Sequence, residues 1–163
     1  MEQIYQLLDK IRYDTDCIVR PAITQPVVSE ELVLPNDLKA FYENCGGIIL
    51  FPGKSYSMEI VGPDSFLRAN PIIVGEPCEY DITYNWFIIG KAGEQYVTID
   101  LAPQRLGRCY DSFWDRHGVP GENPIIAKNF TALLEDLYNN RGEYWYWLQN
   151  NFISLGDAYE EVE

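Results

Sequence analysis

Apolar positions change period several times along the chain, and the changes divide it into elements. Ile4, Leu7, Leu8 and Ile11 keep the i, i+3, i+4, i+7 spacing of one helical face, which predicts an amphipathic N-terminal helix lying on the domain as a cover. From Asp14 to Val28 that period is lost and Pro21 and Pro26 interrupt the backbone, so an extended connector is expected. Ser29 is placed to cap a turn through Glu30, Glu31 and Leu32. The stretch LPNDLKAFYENCGGIILF, Leu34 to Phe51, then carries a start, a stop and a strand together. Pro35 pre-sets φ for a first helical turn, Asp37 puts negative charge near its N-terminus, and Leu38, Phe41 and Tyr42 recur at helical spacing. Gly46 and Gly47 end the helix, since glycine takes the left-handed conformation without a Cβ clash, and Ile48 to Phe51 form the apolar run of a buried strand.

Period-two signals dominate the middle of the chain. Tyr56 to Val61 predicts a strand closing a hairpin, ended by Gly62-Pro63 and a helical turn over Asp64 to Leu67. Asn70 to Tyr80 is acidic and interrupted by proline, and is expected as a long loop. Ile82 to Ile89 and Tyr96 to Leu101 are rich in β-branched and aromatic residues and predict a strand pair joined through Gly90-Lys91-Ala92-Gly93. Leu106 to Tyr110 and a short edge strand at Pro124 to Ala127 follow. Asn129 caps a helix with Phe130, Leu133, Leu134 and Leu137 on its apolar face, and Gly142 interrupts or restarts it. Tyr144, Trp145, Trp147, Leu148 and Phe152 cluster at helical spacing, which predicts a last aromatic helix. Helices at both ends and strands between them predict an α+β single domain, built on a twisted, mainly antiparallel sheet of about 5–6 strands.

Charge bears on the partner more than on the fold. Asp+Glu 25 against Lys+Arg 12 leaves a formal net charge of -13, which repels nucleic-acid phosphates and anionic lipid and attracts a basic protein. With 47% hydrophobic residues the chain buries a real core, so residues 1–163 are expected to form one domain with an acidic tail over 150–163. Cys17, Cys45, Cys78 and Cys109 lie far apart with no CxxC spacing, which fits free thiols in a reducing cytoplasm and suggests neither a zinc knuckle nor a redox motif. The N-terminus has acids and a helical period where a secretory signal carries a basic start, and the apolar runs are too short for a membrane span.

Several segments together resemble the Smi1/Knr4-like, or SUKH, superfamily. LPNDLKAFYENCGG is similar to its signature helix and Gly-Gly turn, MEIVGPDSF to the strand and turn that follow, FIIGKAGEQYVTIDL to the central hairpin, and IIAKNFTALLEDL to the closing strand and helix. The resemblance covers roughly Leu34 to Tyr138; the proline-rich connector before it and Trp145 to Glu163 after it depart from the pattern. It implies an interaction protein. Many bacterial members are immunity proteins that bind and silence a toxin, often a nuclease, whereas eukaryotic members are regulatory scaffolds. A nuclease groove is basic because it holds phosphates, so an acidic inhibitor is steered into it, although acidity also serves solubility alone.

Partner-binding candidates follow from charge and aromatic content. No Lys or Arg lies between Ala69 and Ile89, while Glu76, Glu79 and Asp81 do, with Tyr80 and Tyr84 as aromatic anchors of the type favoured at binding hot spots. After Arg141 the same imbalance returns with Glu143, Asp157, Glu160, Glu161 and Glu163, beside Trp145. Either segment supplies an acidic face. A solvated, frayed end is the plainer account of Glu160, Glu161 and Glu163, and Tyr144 to Leu148 divide between core and interface. Asp111 and Asp115 flank Phe113-Trp114 and serve either a partner or a turn. Catalysis is the weaker reading. The single histidine, His117, sits in a glycine-proline loop as a turn or surface residue, and pairing with Cys109 requires a proximity that spacing does not show. No cofactor or metal site is expected, and a hydrolase built on His117 ranks below both immunity protein and scaffold.

Overall fold

Helix α1 (Glu2–Arg12) buries Ile4, Leu7, Leu8 and Ile11, the stripe that its sequence spacing predicts. The computed structural model describes residues 2–160; Glu161 and Glu163 of the expected tail lie outside them. Helix α2 (Asn36–Asn44) starts directly after Pro35 and buries Leu38, Phe41 and Tyr42. Helix α4 (Phe130–Asn140) is capped by the Asn129 side chain, which accepts from the Ala132 N–H at 2.8 Å. Asp37 ties these two helices together: its Oδ2 accepts from the Thr131 N–H at 2.9 Å and the Thr131 hydroxyl at 2.8 Å, so a carboxylate from α2 sits at the positive end of α4.

The strands are β1 (Cys17–Val19), β2 (Ile48–Leu50), β3 (Met58–Ile60), β4 (Trp86–Ala92), β5 (Gln95–Asp100), β6 (Cys109–Asp111) and β7 (Ile125–Ala127). They form one 7-stranded sheet in chain order with every neighbouring pair antiparallel, an α+β domain. The strand beyond the expected five to six is β1. It lies inside the proline-rich connector, is too short to show a period, and is held by pairing Cys17 with Leu50 and Val19 with Ile48.

The glycines after α2 work differently from a left-handed helix stop. Cys45 ends the helix in extended conformation, Gly46 is needed because a Cβ there meets the Pro21 carbonyl oxygen at 2.3 Å, and Gly47 has φ +115. Three further expectations are corrected. Asn70 to Tyr80 contains a short helix, α3 (Ala69–Ile73). Ile82–Asn85 form a 3-10 turn, because the Asp81 carboxylate accepts from the Thr83 N–H and ends the extended reading there; β4 starts at Trp86 and runs through Gly90 to Ala92. The aromatic C-terminal stretch makes only one 3-10 turn, Tyr146–Leu148. Its aromatic residues are too dense to define one helical face; instead Trp145 and Trp147 stack on each other at 5.3 Å, with Phe113 edge-on to both.

Directly paired residues share a sheet face, so the register sorts the core. Ile48, Ile60, Val97, Ile99, Cys109 and Ala127 face α1, α2 and α4 in the main core. Trp86, Tyr110 and Ile125 belong to a second, smaller core on the other side, completed by Ala158.

Candidate partner interface

That smaller core is roofed by loops. Trp86 stacks on Tyr110 at 4.1 Å, His117 stands edge-on to Trp86 at 5.7 Å, and Ile82, Leu155 and Tyr159 pack around them. The roof therefore draws on three segments that are remote in sequence, around residues 69–85, 113–123 and 155–160.

Hydrogen bonds lock the segments together. Asn70, 1% exposed, donates through Nδ2 to the Pro77 carbonyl at 3.0 Å and to Thr83 Oγ1 at 2.9 Å, which leaves its Oδ1 to accept from His117 Nε2 at 2.6 Å. His117 thus carries its proton on Nε2, and among the described residues no hydrogen-bond partner meets Nδ1. Burial holds the imidazole down to about 4, against a weaker opposing pull from the Asp81 charge. Asp81 Oδ2 accepts from the Thr83 hydroxyl at 2.7 Å and from the Tyr159 hydroxyl at 2.9 Å. Asp157 accepts from the N–H groups of Asn123 at 2.8 Å and Gly121 at 3.1 Å.

Outside this lattice the surface is acidic and partly apolar. Glu76, Glu79 and Asp81 are exposed, Tyr80 projects fully into solvent, and Ile72 near the end of α3 and Val74 just after it are about half exposed. Glu122 and Glu160 are exposed on the adjoining segments. The two acidic segments that the sequence offers as alternatives are joined by the Asp81–Tyr159 bond. Residues 157–159 are docked by that bond, by Asp157 and by the wholly buried Ala158.

Other candidates stand elsewhere or are spent inside the fold. Asp111 is 0% exposed and accepts from Phe113 N–H, Arg116 and Trp147 Nε1, so it holds the loop after β6 from within the fold. Trp145 is 9% exposed and is core. Tyr84 is covered by the Arg68 guanidinium, 4.0 Å above its ring. Asp115 is exposed beside Trp114, which is 71% exposed. Glu143 lies apart, near Lys54, next to the half-exposed Tyr144. His117, expected at the surface, is 8% exposed, because Asn70 compensates its polar edge and Trp86 its ring. Cys109 Sγ points to the Gly107 carbonyl, so the fold does not pair it with His117. Asn70 and Tyr159 escaped the sequence reading, since partners 47 and 78 residues away leave no local signal. Among the described residues no group of three or more His, Cys, Asp or Glu converges to hold a metal ion, and no helix is long and apolar enough to cross a membrane.

Residues 30–136 match the model of the SMI1 / KNR4 family (SUKH-1). The chain is 48% identical over 161 residues to "Immunity protein YokJ" of Bacillus subtilis (strain 168), covering 98% of each.

Proposed function

The chain belongs to the SMI1/KNR4 (SUKH-1) family, and from that premise we propose that it is an immunity protein, one that binds a basic protein toxin and neutralises it by covering the active site. The likeness to a protein named an immunity protein, spanning 98% of both chains, carries this reading. A formal net charge of -13 supports it, and points to a nuclease as the toxin class, since a phosphate-binding groove offers the opposite charge. The protein acts in the cytoplasm, where the toxin meets its target, and it works by occlusion, with no chemistry of its own.

Co-expression with the toxin encoded beside its gene tests this. Restored growth and a stable complex on gel filtration are expected; unabated toxicity without a complex refutes it. Association is expected to slow by roughly tenfold or more between low and physiological salt, because steering by exposed charge is screened. A salt-independent on-rate removes charge from the explanation.

A further inference from the structure

On the immunity reading, we propose that the toxin docks on the segment 72–81, the end of α3 and the loop after it, with Tyr80 as its anchor and Glu76 and Glu79 as the charged rim, and that the occupant is a lysine- or arginine-rich surface surrounding a shallow apolar spot. Tyr80 is 103% exposed, the fullest exposure among the described large hydrophobic side chains, and it shares its segment with Ile72 and Val74, 44% and 49% exposed. An exposed apolar and aromatic patch framed by carboxylates suits the core-and-rim anatomy of a protein interface. Charge selects the occupant. Between Ala69 and Ile89 the chain has no Lys or Arg, and the neighbouring segments add Glu122 and Glu160, so a basic partner finds no like charge on this loop.

The loop is also held before binding. Asn70 fastens its interior to His117 and to the Pro77 carbonyl, and Asp81 fastens its end to Thr83 and Tyr159. A fixed loop loses little conformational entropy on association, so the aromatic contact contributes more fully to affinity. The rival face around Glu143 and Tyr144 differs in charge: Glu143 stands 4.0 Å from Lys54, and Arg141 is exposed beside it, so that surface presents both signs of charge to a partner.

Purified complexes with the toxin encoded beside the gene decide between the faces. Tyr80→Ala should weaken binding roughly tenfold or more, as truncation of a hot-spot aromatic does, and mainly through faster dissociation. The double variant Glu76→Lys, Glu79→Lys should slow association at low salt. Tyr144→Ala and Glu143→Lys, on the other face, should leave both rates unchanged. Glu76, Glu79 and Tyr80 are exposed, so thermal unfolding of their variants should match the unmodified chain and exclude misfolding as the cause. If the unmodified chain binds the toxin while the Tyr80 and Glu76/Glu79 variants bind equally well, the docking face is wrong and the immunity reading stands. If Tyr144→Ala is the variant that weakens binding, the partner sits on the rival face. If the unmodified chain neither binds nor protects, the functional reading fails and this face falls with it.

Discussion

His117 should make the stability of this protein depend on pH in a window where most side chains are silent. Its imidazole is held down to about 4 against an ordinary 6.5, mainly by burial, with Asp81 pulling weakly the other way. The sign follows from which state takes the proton. As pH falls through 6.5 the unfolded chain protonates this residue, while the folded chain, whose Nδ1 faces no acceptor, does not until about 4. Stability from this group is therefore complete above 6.5 and is lost progressively as pH falls to about 4. At about 1.4 kcal/mol per pH unit the gap amounts to about 3 kcal/mol. Asp100 and Asp136, whose carboxyls are raised by burial, contribute with the opposite sign, so the difference between two proteins is the quantity to measure. His117→Gln keeps an N–H donor for Asn70 and removes the titration. Urea unfolding of both proteins across this window should give curves that converge as pH falls, the variant starting less stable and losing less. Parallel curves would refute the burial argument.

Other expectations concern the joints of the fold. Replacing Gly47, at φ +115, with alanine should cost about 1–3 kcal/mol, and Gly46→Ala should cost at least as much because its Cβ meets the Pro21 carbonyl at 2.3 Å; unchanged thermal midpoints would contradict that geometry. Asp111→Ala strips the acceptor from Arg116 and from buried Trp147 Nε1, and should cost about 3–5 kcal/mol by denaturant unfolding. A loss under about 1 kcal/mol would mean that water replaces the carboxylate well. Asp37→Ala removes the carboxylate from the start of α4 and should cost about 1–2 kcal/mol, with Asp37→Asn recovering part of it; full recovery in Asp37→Asn would exclude a role for the charge.

Elements built on sustained local pattern were legible in the sequence. The stripe of α1, the Pro35-to-Gly47 unit and the Asn129 cap each rest on several residues that agree. Failures came where a distant partner overrides local chemistry. Cys17 to Val19 is a strand only because Ile48 to Leu50 lies alongside. Ile82 to Asn85 has strand composition, yet Asp81 turns it by accepting from Thr83. The same limit governed the candidate site. Glu76, Glu79, Tyr80 and Asp81 were readable as an acidic loop lacking cations, and all are exposed. Asp111 and Trp145 were not separable from them, because a carboxylate or an indole looks alike in sequence whether it meets solvent or an Arg116 and a Trp147. Nor does local pattern show that residues 157–159 return to meet Asp81.

Residues 156–158 also close the outer border of β7. The Ile125 N–H donates to the Gly156 carbonyl at 2.9 Å, Asp157 bridges to Pro124, and the Ala158 N–H donates to the Asn123 carbonyl at 2.9 Å. A sheet with an open border invites another chain to add a strand, which is a route both to recognition and to uncontrolled polymerisation. Here that border is occupied from within. The opposite border, β1, is only 3 residues long and is followed closely by Pro21, which has no N–H to offer. Main-chain pairing is thus curtailed at both ends of the sheet, and selectivity for a partner passes to side chains standing on the loops. Such residues can be exchanged between relatives without disturbing a single rung of the sheet.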